Sequence, residues 1–120
     1  AAPSDQPWVL FLPEEEVHDI GLMLSSYIIR EHGSPVIYLG ARVPKDSLFS
    51  VLELFPKAKL LFFLVKQFDG KSISSLVKNI NVKYPESTVH ISTNPKRVEE
   101  MEENIAFEKI NSVEDLVKKA

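Results

Sequence analysis

Five short apolar runs recur along the chain, each followed by a segment whose apolar residues return every three or four positions. Continuous apolar runs of this length are typical of strands that are buried on both faces of a parallel sheet. The run at 60–65 is the most apolar, which predicts that it is the central strand. The predicted strands are 9–12, 36–39, 60–65, 88–91 and 105–107.

The segment after the first run has the 3.6-residue period of an amphipathic helix, and Gly33 is its expected stop. The stripe predicted to face the core consists of Val17, Ile20, Leu24, Tyr27 and Ile28. Three further apolar residues widen this stripe: Leu22, Met23 and Ile29. Either a broad buried face or an oligomer interface would produce such a helix, and we predict burial.

Capping residues and prolines mark the starts of the remaining helices. The predicted starts are Pro44 as first helical residue, Asp69 or Ser72 as a cap, Asn94-Pro95 for a short helix through Met101, and the Ser112–Asp115 capping box. The predicted core-facing residues of the second and third helices are Leu48, Val51, Leu52, Phe55, Ile73, Leu76, Val77 and Ile80.

Strict alternation of strands and helices implies parallel strands joined by right-handed crossovers, with helices on both faces of the sheet. We therefore predict a flavodoxin-like three-layer α/β/α sandwich with a five-stranded parallel sheet in the order 2-1-3-4-5. Residues 8–120 are expected to form one domain, and residues 1–7 read as a linker. Ligands of such sheets lie outside the carboxyl ends of strands one and three, so the loop containing His18 is the predicted crevice.

Composition narrows the functions that this domain can have. Apolar residues make up 44% and charged residues 26% of the chain, as in ordinary globular domains. The net charge of -3 argues against direct binding of nucleic acid. The chain has no Cys, which excludes thiolate metal sites and thiol catalysis. No apolar run approaches the roughly 20 residues of a membrane helix, so a cytoplasmic domain with no membrane partner is expected.

Glu16, His18 and Gly21 lie together where the chain enters the first helix. The helix dipole there disfavours an imidazolium, and a neutral imidazole can ligate a metal. Glu16 can accept the other ring N–H and orient the ring, and Gly21 lets a bulky group approach the helix. The alternative is that His18 is a solvated residue of the first turn with no function.

These residues resemble the Asp-x-His-x-x-Gly signature of cobalamin-binding domains, and residues 38–44 resemble the second strand and following loop of that family. In the family the His replaces the cofactor's own lower axial base as cobalt ligand, and the acidic residue bonds the His. The resemblance implies these roles for His18 and Glu16. It also implies that cobalamin contacts Gly21, Gly40 and Val43.

The residues after the motif glycine, Leu22-Met23-Leu24, resemble those of the effector domains of MerR-type bacterial transcription regulators. This resemblance implies a non-catalytic domain that senses a small-molecule effector or forms a homo-oligomer. DNA would be bound only by a helix-turn-helix outside this segment. The family's Ser-x-Leu, which lines the cofactor's nucleotide tail, is replaced by Phe63–Lys66, and its Gly-Gly by Ser92–Asn94. Two states therefore stay open, one that binds cobalamin through His18 and one with a closed tail pocket.

Two other functions remain as alternatives. The first is a corrinoid-carrying domain of a cobalamin-dependent methyltransferase or mutase, which shares the same fold. The second is an inactive receiver-like domain, with Glu14 and Glu15 as the acidic pair, Thr93 as the hydroxyl and Lys109 as the lysine. An active receiver is disfavoured because no Asp follows strand three at once; Asp69 comes several residues too late.

Overall fold

A computed structural model of the chain describes residues 3–13, 19–64, 70–93 and 104–120. Parallel strands and helices alternate along these segments. In chain order they are β1 (Trp8–Pro13), α1 (Ile20–Glu31), β2 (Val36–Val43), α2 (Lys45–Leu54), β3 (Lys59–Leu64), α3 (Gly70–Lys83), β4 (Thr88–Thr93), β5 (Glu108–Lys109) and α4 (Val113–Lys119).

The five strands form one parallel sheet in the order β2-β1-β3-β4-β5, as predicted. Trp8 of β1 pairs with Val36 of β2 on one side and with Lys59 of β3 on the other. The switch point thus lies between β1 and β3, and the carboxyl ends of both strands meet at the same edge of the sheet. The predicted fold class is confirmed.

Helices α2 and α3 cover one face of the sheet, which we call the α2/α3 face. Every second residue of each strand points into this layer, among them Val9, Phe11, Leu60 and Phe62. Leu48 and Leu52 of α2 and Ile73, Val77 and Ile80 of α3 meet them. This layer is the larger of the two apolar cores in the described residues.

Helices α1 and α4 cover the opposite face, the α1/α4 face. Its core is built on Trp8, Leu10, Leu12 and Leu61 of the sheet, packed by Leu22 and Ile29 of α1 and by Leu116 of α4. Polar side chains are buried on this face as well, namely Ser25, Ser26 and His90. The α1/α4 face is therefore the thinner and more polar half of the sandwich.

The predicted core stripe of α1 is wrong for three of its four described residues; only Ile28 packs against the core. Ile20, Leu24 and Tyr27 are exposed, and the helix buries Leu22, Ser25, Ser26 and Ile29 instead. The burial predicted for Leu22 and Ile29 is confirmed, but Met23 is exposed. Periodicity gives the direction of an apolar stripe and not what covers it, so an unpartnered stripe is indistinguishable from a core stripe in the sequence. Val17 lies outside the described residues.

Several element boundaries also differ from the prediction. Strand β5 is Glu108–Lys109 rather than 105–107, because the register with β4 pairs His90 with Glu108. Pro44 is the N-cap of α2 rather than its first helical residue. Ser72 lies inside α3 and does not cap it. Asp69, Val65–Lys66 and the predicted helix from Asn94 through Met101 lie outside the described residues.

Candidate functional site

A groove of about 170 Å³ opens between α1 and α4 on the α1/α4 face. Its floor is formed by Phe63 of β3 and Ser92 of β4, near the carboxyl ends of two central strands. The walls are Gly21, Leu24, Ser25 and Ile28 of α1, the segment Ile110–Ser112, and Val113 and Leu116 of α4. The groove thus lies at the edge where the fold predicts a ligand, although displaced from the switch point toward β4.

Gly21 allows α1 to approach the sheet at this groove. A Cβ atom added at Gly21 would lie 2.7 Å from Cε2 of Phe63, closer than two carbon atoms can pack. The Ser25 hydroxyl donates to the Gly21 carbonyl over 2.8 Å, so this small side chain stays within its own helix. The predicted close approach at Gly21 is present, and the group that approaches is the Phe63 ring.

The opposite wall is stabilised by the start of α4. The Ser112 hydroxyl accepts a hydrogen bond from the Asp115 backbone N–H over 3.2 Å. The Asp115 carboxylate accepts from the backbone N–H of Asn111 over 2.9 Å. This is the predicted capping box, with the returning bond shifted by one residue from the usual pattern. Ser112 and Asp115 are therefore engaged in holding α4, and Ser92 and the Asn111 side chain remain as polar groups of the groove.

The predicted cofactor residues lie in three different environments. Glu16 and His18 lie outside the described residues, and their predicted roles stay predictions. Gly40 has a φ of +84° in a strand irregularity, where β1 pairs Leu10 with Tyr38 but Phe11 with Gly40. Val43 pairs with Pro13 at the carboxyl end of β2, and its side chain is buried in the α2/α3 core. Of these positions, the groove brings in Gly21 alone.

Tyr38, which the sequence did not mark as a site residue, lies near Asp19 at the amino terminus of α1. Burial raises the pKa of its phenol, and the nearby Asp19 carboxylate raises it further. The Tyr38 hydroxyl is buried and has no hydrogen-bond partner within the described residues. A tyrosine in an apolar run is ordinarily a strand residue, so the sequence contained no signal that its hydroxyl would lie near the predicted crevice.

A polar cluster beneath the groove was also missed. His90 is 2% exposed; its Nδ1 lies 3.0 Å from the Leu60 carbonyl oxygen and its Nε2 lies 3.0 Å from Oε2 of Glu108. The same carboxylate is 3.1 Å from Nζ of Lys119 in α4. Burial lowers the pKa of His90, against the opposing effects of the Leu60 carbonyl and the Glu108 carboxylate. This cluster ties α4 to the sheet through β5.

The two receiver-like residues that can be located do not form a reactive site. Thr93 donates its hydroxyl to the Leu64 carbonyl over 2.7 Å, so it links the carboxyl ends of β3 and β4. Lys109 lies in the short edge strand β5. Glu14 and Glu15 lie outside the described residues.

Comparison with known proteins gives a likeness of fold. No family model matches the sequence, and no curated protein does. The monomethylamine corrinoid protein of Methanosarcina barkeri superposes with a TM-score of 0.78 at 16% identity, over 97% of this chain and 57% of that one. A cobalamin-binding protein from Desulfitobacterium hafniense DCB-2 superposes with a TM-score of 0.74 at 19% identity, over 95% of this chain and 57% of that one. The chain has a cobalamin-binding-domain-like fold. It spans a little over half the length of both structures.

The groove of this cobalamin-binding-like fold is too small for the cofactor's nucleotide tail. A cavity of about 150 Å³ holds a single benzene ring, and pockets for drug-sized ligands start at about 300 Å³. The tail carries a two-ring base, a ribose and a phosphate, whereas the groove measures about 170 Å³ and has Phe63 as its floor. The groove that the described residues line is therefore smaller than the tail.

Two further properties bear on the class of site. Within the described segments, no group of three or more His, Cys, Asp or Glu side chains is placed to hold a metal ion. No helix in those segments is long and apolar enough to cross a membrane.

Proposed function

We propose that this chain is a non-catalytic effector-sensing and oligomerisation domain that has the cobalamin-binding-like fold but does not hold cobalamin. By the resemblance of residues 16–24, its parent protein is a MerR-type transcription regulator. DNA binding would then belong to a helix-turn-helix outside this segment, in keeping with the net charge of -3.

The contact between Phe63 and Gly21 is the observation that carries this proposal. A Cβ at Gly21 would lie 2.7 Å from the Phe63 ring, so the ring fills the space that the small residue leaves. The groove that this aromatic side chain helps to line measures about 170 Å³. A corrinoid carrier needs that space for the tail, whereas a sensor of a smaller ligand does not.

The effector that suits the groove is an apolar molecule of about one ring. Leu24, Ile28, Ile110 and Leu116 supply apolar walls, and Ser92 and Asn111 supply polar groups at one side. A small number of polar groups in an apolar pocket orients a ligand. Such a ligand would touch both α1 and α4, so its binding would change how the two helices pack.

Mixing the domain with hydroxocobalamin or adenosylcobalamin, desalting, and recording the visible spectrum tests the proposal. We expect the wild-type chain to elute without colour. Phe63→Ala is the matched variant, because it enlarges the groove and leaves His18 in place; weak retention of colour by this variant alone would support the role of Phe63. Colour retained by wild type, with a spectrum that changes in His18→Ala, would show that the chain binds cobalamin through His18 and would overturn the proposal.

The second candidate is a corrinoid-carrying domain of a methyltransferase or mutase. The observation that favours it is that the neighbours of similar fold are described as a monomethylamine corrinoid protein and a cobalamin-binding protein. The cobalamin spectra separate the two candidates, because a carrier must retain the cofactor through desalting.

A further inference from the structure

The outward face of α1 is an apolar stripe that the described residues leave uncovered. It consists of Ile20, Met23, Leu24 and Tyr27, which we call the α1 stripe, at the i, i+3, i+4 and i+7 spacing of one helix face. Their exposed fractions are 82%, 56%, 53% and 62%. The buried side of the same helix carries Ser25 and Ser26 beside Leu22 and Ile29. A solvent-facing helix has its polar residues outside, so this orientation is the reverse of the usual one.

The apolar surface continues from α1 onto α4. Leu24 and Val113 face each other across the groove, and Val113 and Val117 are exposed on the next helix. The exposed parts of the stripe and of the two valines together present roughly a few hundred Å² per copy. A standard interface buries about 800 Å² per partner, and monomers rarely expose a continuous apolar patch of this size.

The charges at the two ends of the stripe indicate what covers it. Asp19 precedes Met23 by four residues and Arg30 follows it by seven, so both charges lie on the Met23 side of the helix, about three turns apart. No charged residue lies between them. If a second copy packs antiparallel with Ile20 opposite Tyr27, Arg30 of each copy lies two residues, roughly 3 Å, beyond Asp19 of the other, within reach of the long arginine side chain. In a parallel pair the Met23 sides of the two copies would lie on opposite edges of the interface, so neither charge would meet its opposite.

We propose that two copies of this chain pair through antiparallel α1 stripes about a two-fold axis between Met23 and Leu24. Ile20 of one copy then packs on Tyr27 of the other, and the stripe is self-complementary, as a two-fold interface requires. This deepens the oligomerisation part of the proposed function but does not depend on a ligand in the groove. Leu24 and Val113 belong both to the groove and to the interface, so pairing would close the outer side of the groove.

Disulfide trapping tests the geometry directly, because the chain has no Cys of its own. In the antiparallel pair, Leu24→Cys lies beside its equivalent near the axis and is expected to form a covalent dimer under mild oxidation. Ile20→Cys is the matched control: its two copies would be separated by about seven residues of helix rise, roughly 10 Å, and should not cross-link. A mixture of Ile20→Cys and Tyr27→Cys chains should form the mixed dimer.

Sedimentation of the uncross-linked chain gives the affinity. We expect a concentration-dependent dimer whose dissociation constant rises about tenfold in Arg30→Asp, since each exposed pair contributes about threefold and the factors of the two symmetry-related pairs multiply. The double variant Asp19→Arg with Arg30→Asp should restore it. A wild-type monomer at the highest attainable concentration, or equal cross-linking of Leu24→Cys and Ile20→Cys, would overturn the proposal. Neither result depends on the cobalamin spectra, so this proposal and the proposed function can fail separately.

Discussion

The two faces of the sheet are built differently. On the α2/α3 face the core is mostly apolar, with Ser74 of α3 as a buried polar side chain. At its edge Tyr84 donates its hydroxyl to the Glu53 carboxylate, and Lys83 lies 3.4 Å from the same carboxylate. On the α1/α4 face small and polar side chains are buried, a groove separates the helices, and the outer surface is apolar. Leu54 and Val82 are exposed on the first face, one on each helix.

This difference indicates that the two faces of the sheet have different roles. Tight apolar packing stabilises a fold and leaves no room for a ligand. The α1/α4 face is packed less tightly, because it contains a glycine, buried serines and a groove. Ligand binding is expected in such a region. We therefore expect the α2/α3 face to contribute most of the stability, and the α1/α4 face to be where the proposed effector and partner contacts would form.

The largest expected effect is on the free energy of unfolding. It concerns alanine substitutions at two neighbouring residues of β3 that point to opposite faces. Phe62→Ala removes a fully buried ring that packs 5.1 Å from the Phe11 ring centroid. It should lower the free energy of unfolding by about 3–5 kcal/mol. Phe63→Ala is the control, with an expected loss of about 1–2 kcal/mol because its ring borders an existing groove. Denaturant unfolding measures both, and equal losses would contradict the division between the faces.

Gly21→Ala should have the next largest effect. Its Cβ would lie 2.7 Å from Cε2 of Phe63, and overpacking of this kind costs about 1–3 kcal/mol. Without the clash, alanine would favour the helix by about 1 kcal/mol. The same substitution in a Phe63→Ala background should therefore be neutral or stabilising. Additive effects in this double-mutant cycle, followed by chemical denaturation, would show that Phe63 does not limit the approach of α1.

The smallest expected effect is on the pH dependence of stability. Burial lowers the pKa of His90 below its usual value, so the unfolded chain takes up this proton first and stability falls as the pH drops through about 6.5. The hydrogen bond from Lys119 lowers the pKa of Glu108, which removes further stability below its usual value near 4.5. Each unit of pKa difference corresponds to about 1.4 kcal/mol.

Melting temperatures between pH 8 and pH 4 measure this dependence. His90→Gln should flatten the curve between pH 7 and pH 5. A wild-type curve that rises toward pH 5 would mean that His90 gains a proton more easily in the folded state, against the expected sign.

Much of the fold could be predicted because strands and helices carry strong local signals. The apolar run at 60–65 predicted the central strand, and Ser112 with Asp115 predicted the start of α4 through a bond that involves neighbouring residues only. The modest run at 105–107 predicted β5 in the wrong place. Its register depends on pairing with β4 and on the contact of Glu108 with His90, which a local pattern does not contain.

The candidate site was predictable only in part. The close approach at Gly21 followed from the lack of a side chain, but the sequence did not say that Phe63 would be the neighbour. His90 has the sequence context of an ordinary strand residue, because its partners Leu60 and Glu108 are distant in the chain. Residues that are distant in the sequence but in contact in the fold can be recognised as partners only once the sheet order is known.

The sequence by itself determined the class of fold, since the alternation of apolar runs and helical periods leaves few ways to bury every strand. It also determined that α1 is an amphipathic helix. Only the tertiary structure decided which side of α1 faces the sheet: Gly21 and Ser25 face inward because the Phe63 ring leaves room for small residues alone. The apolar stripe of Ile20, Met23, Leu24 and Tyr27 consequently faces outward, where a second copy can cover it.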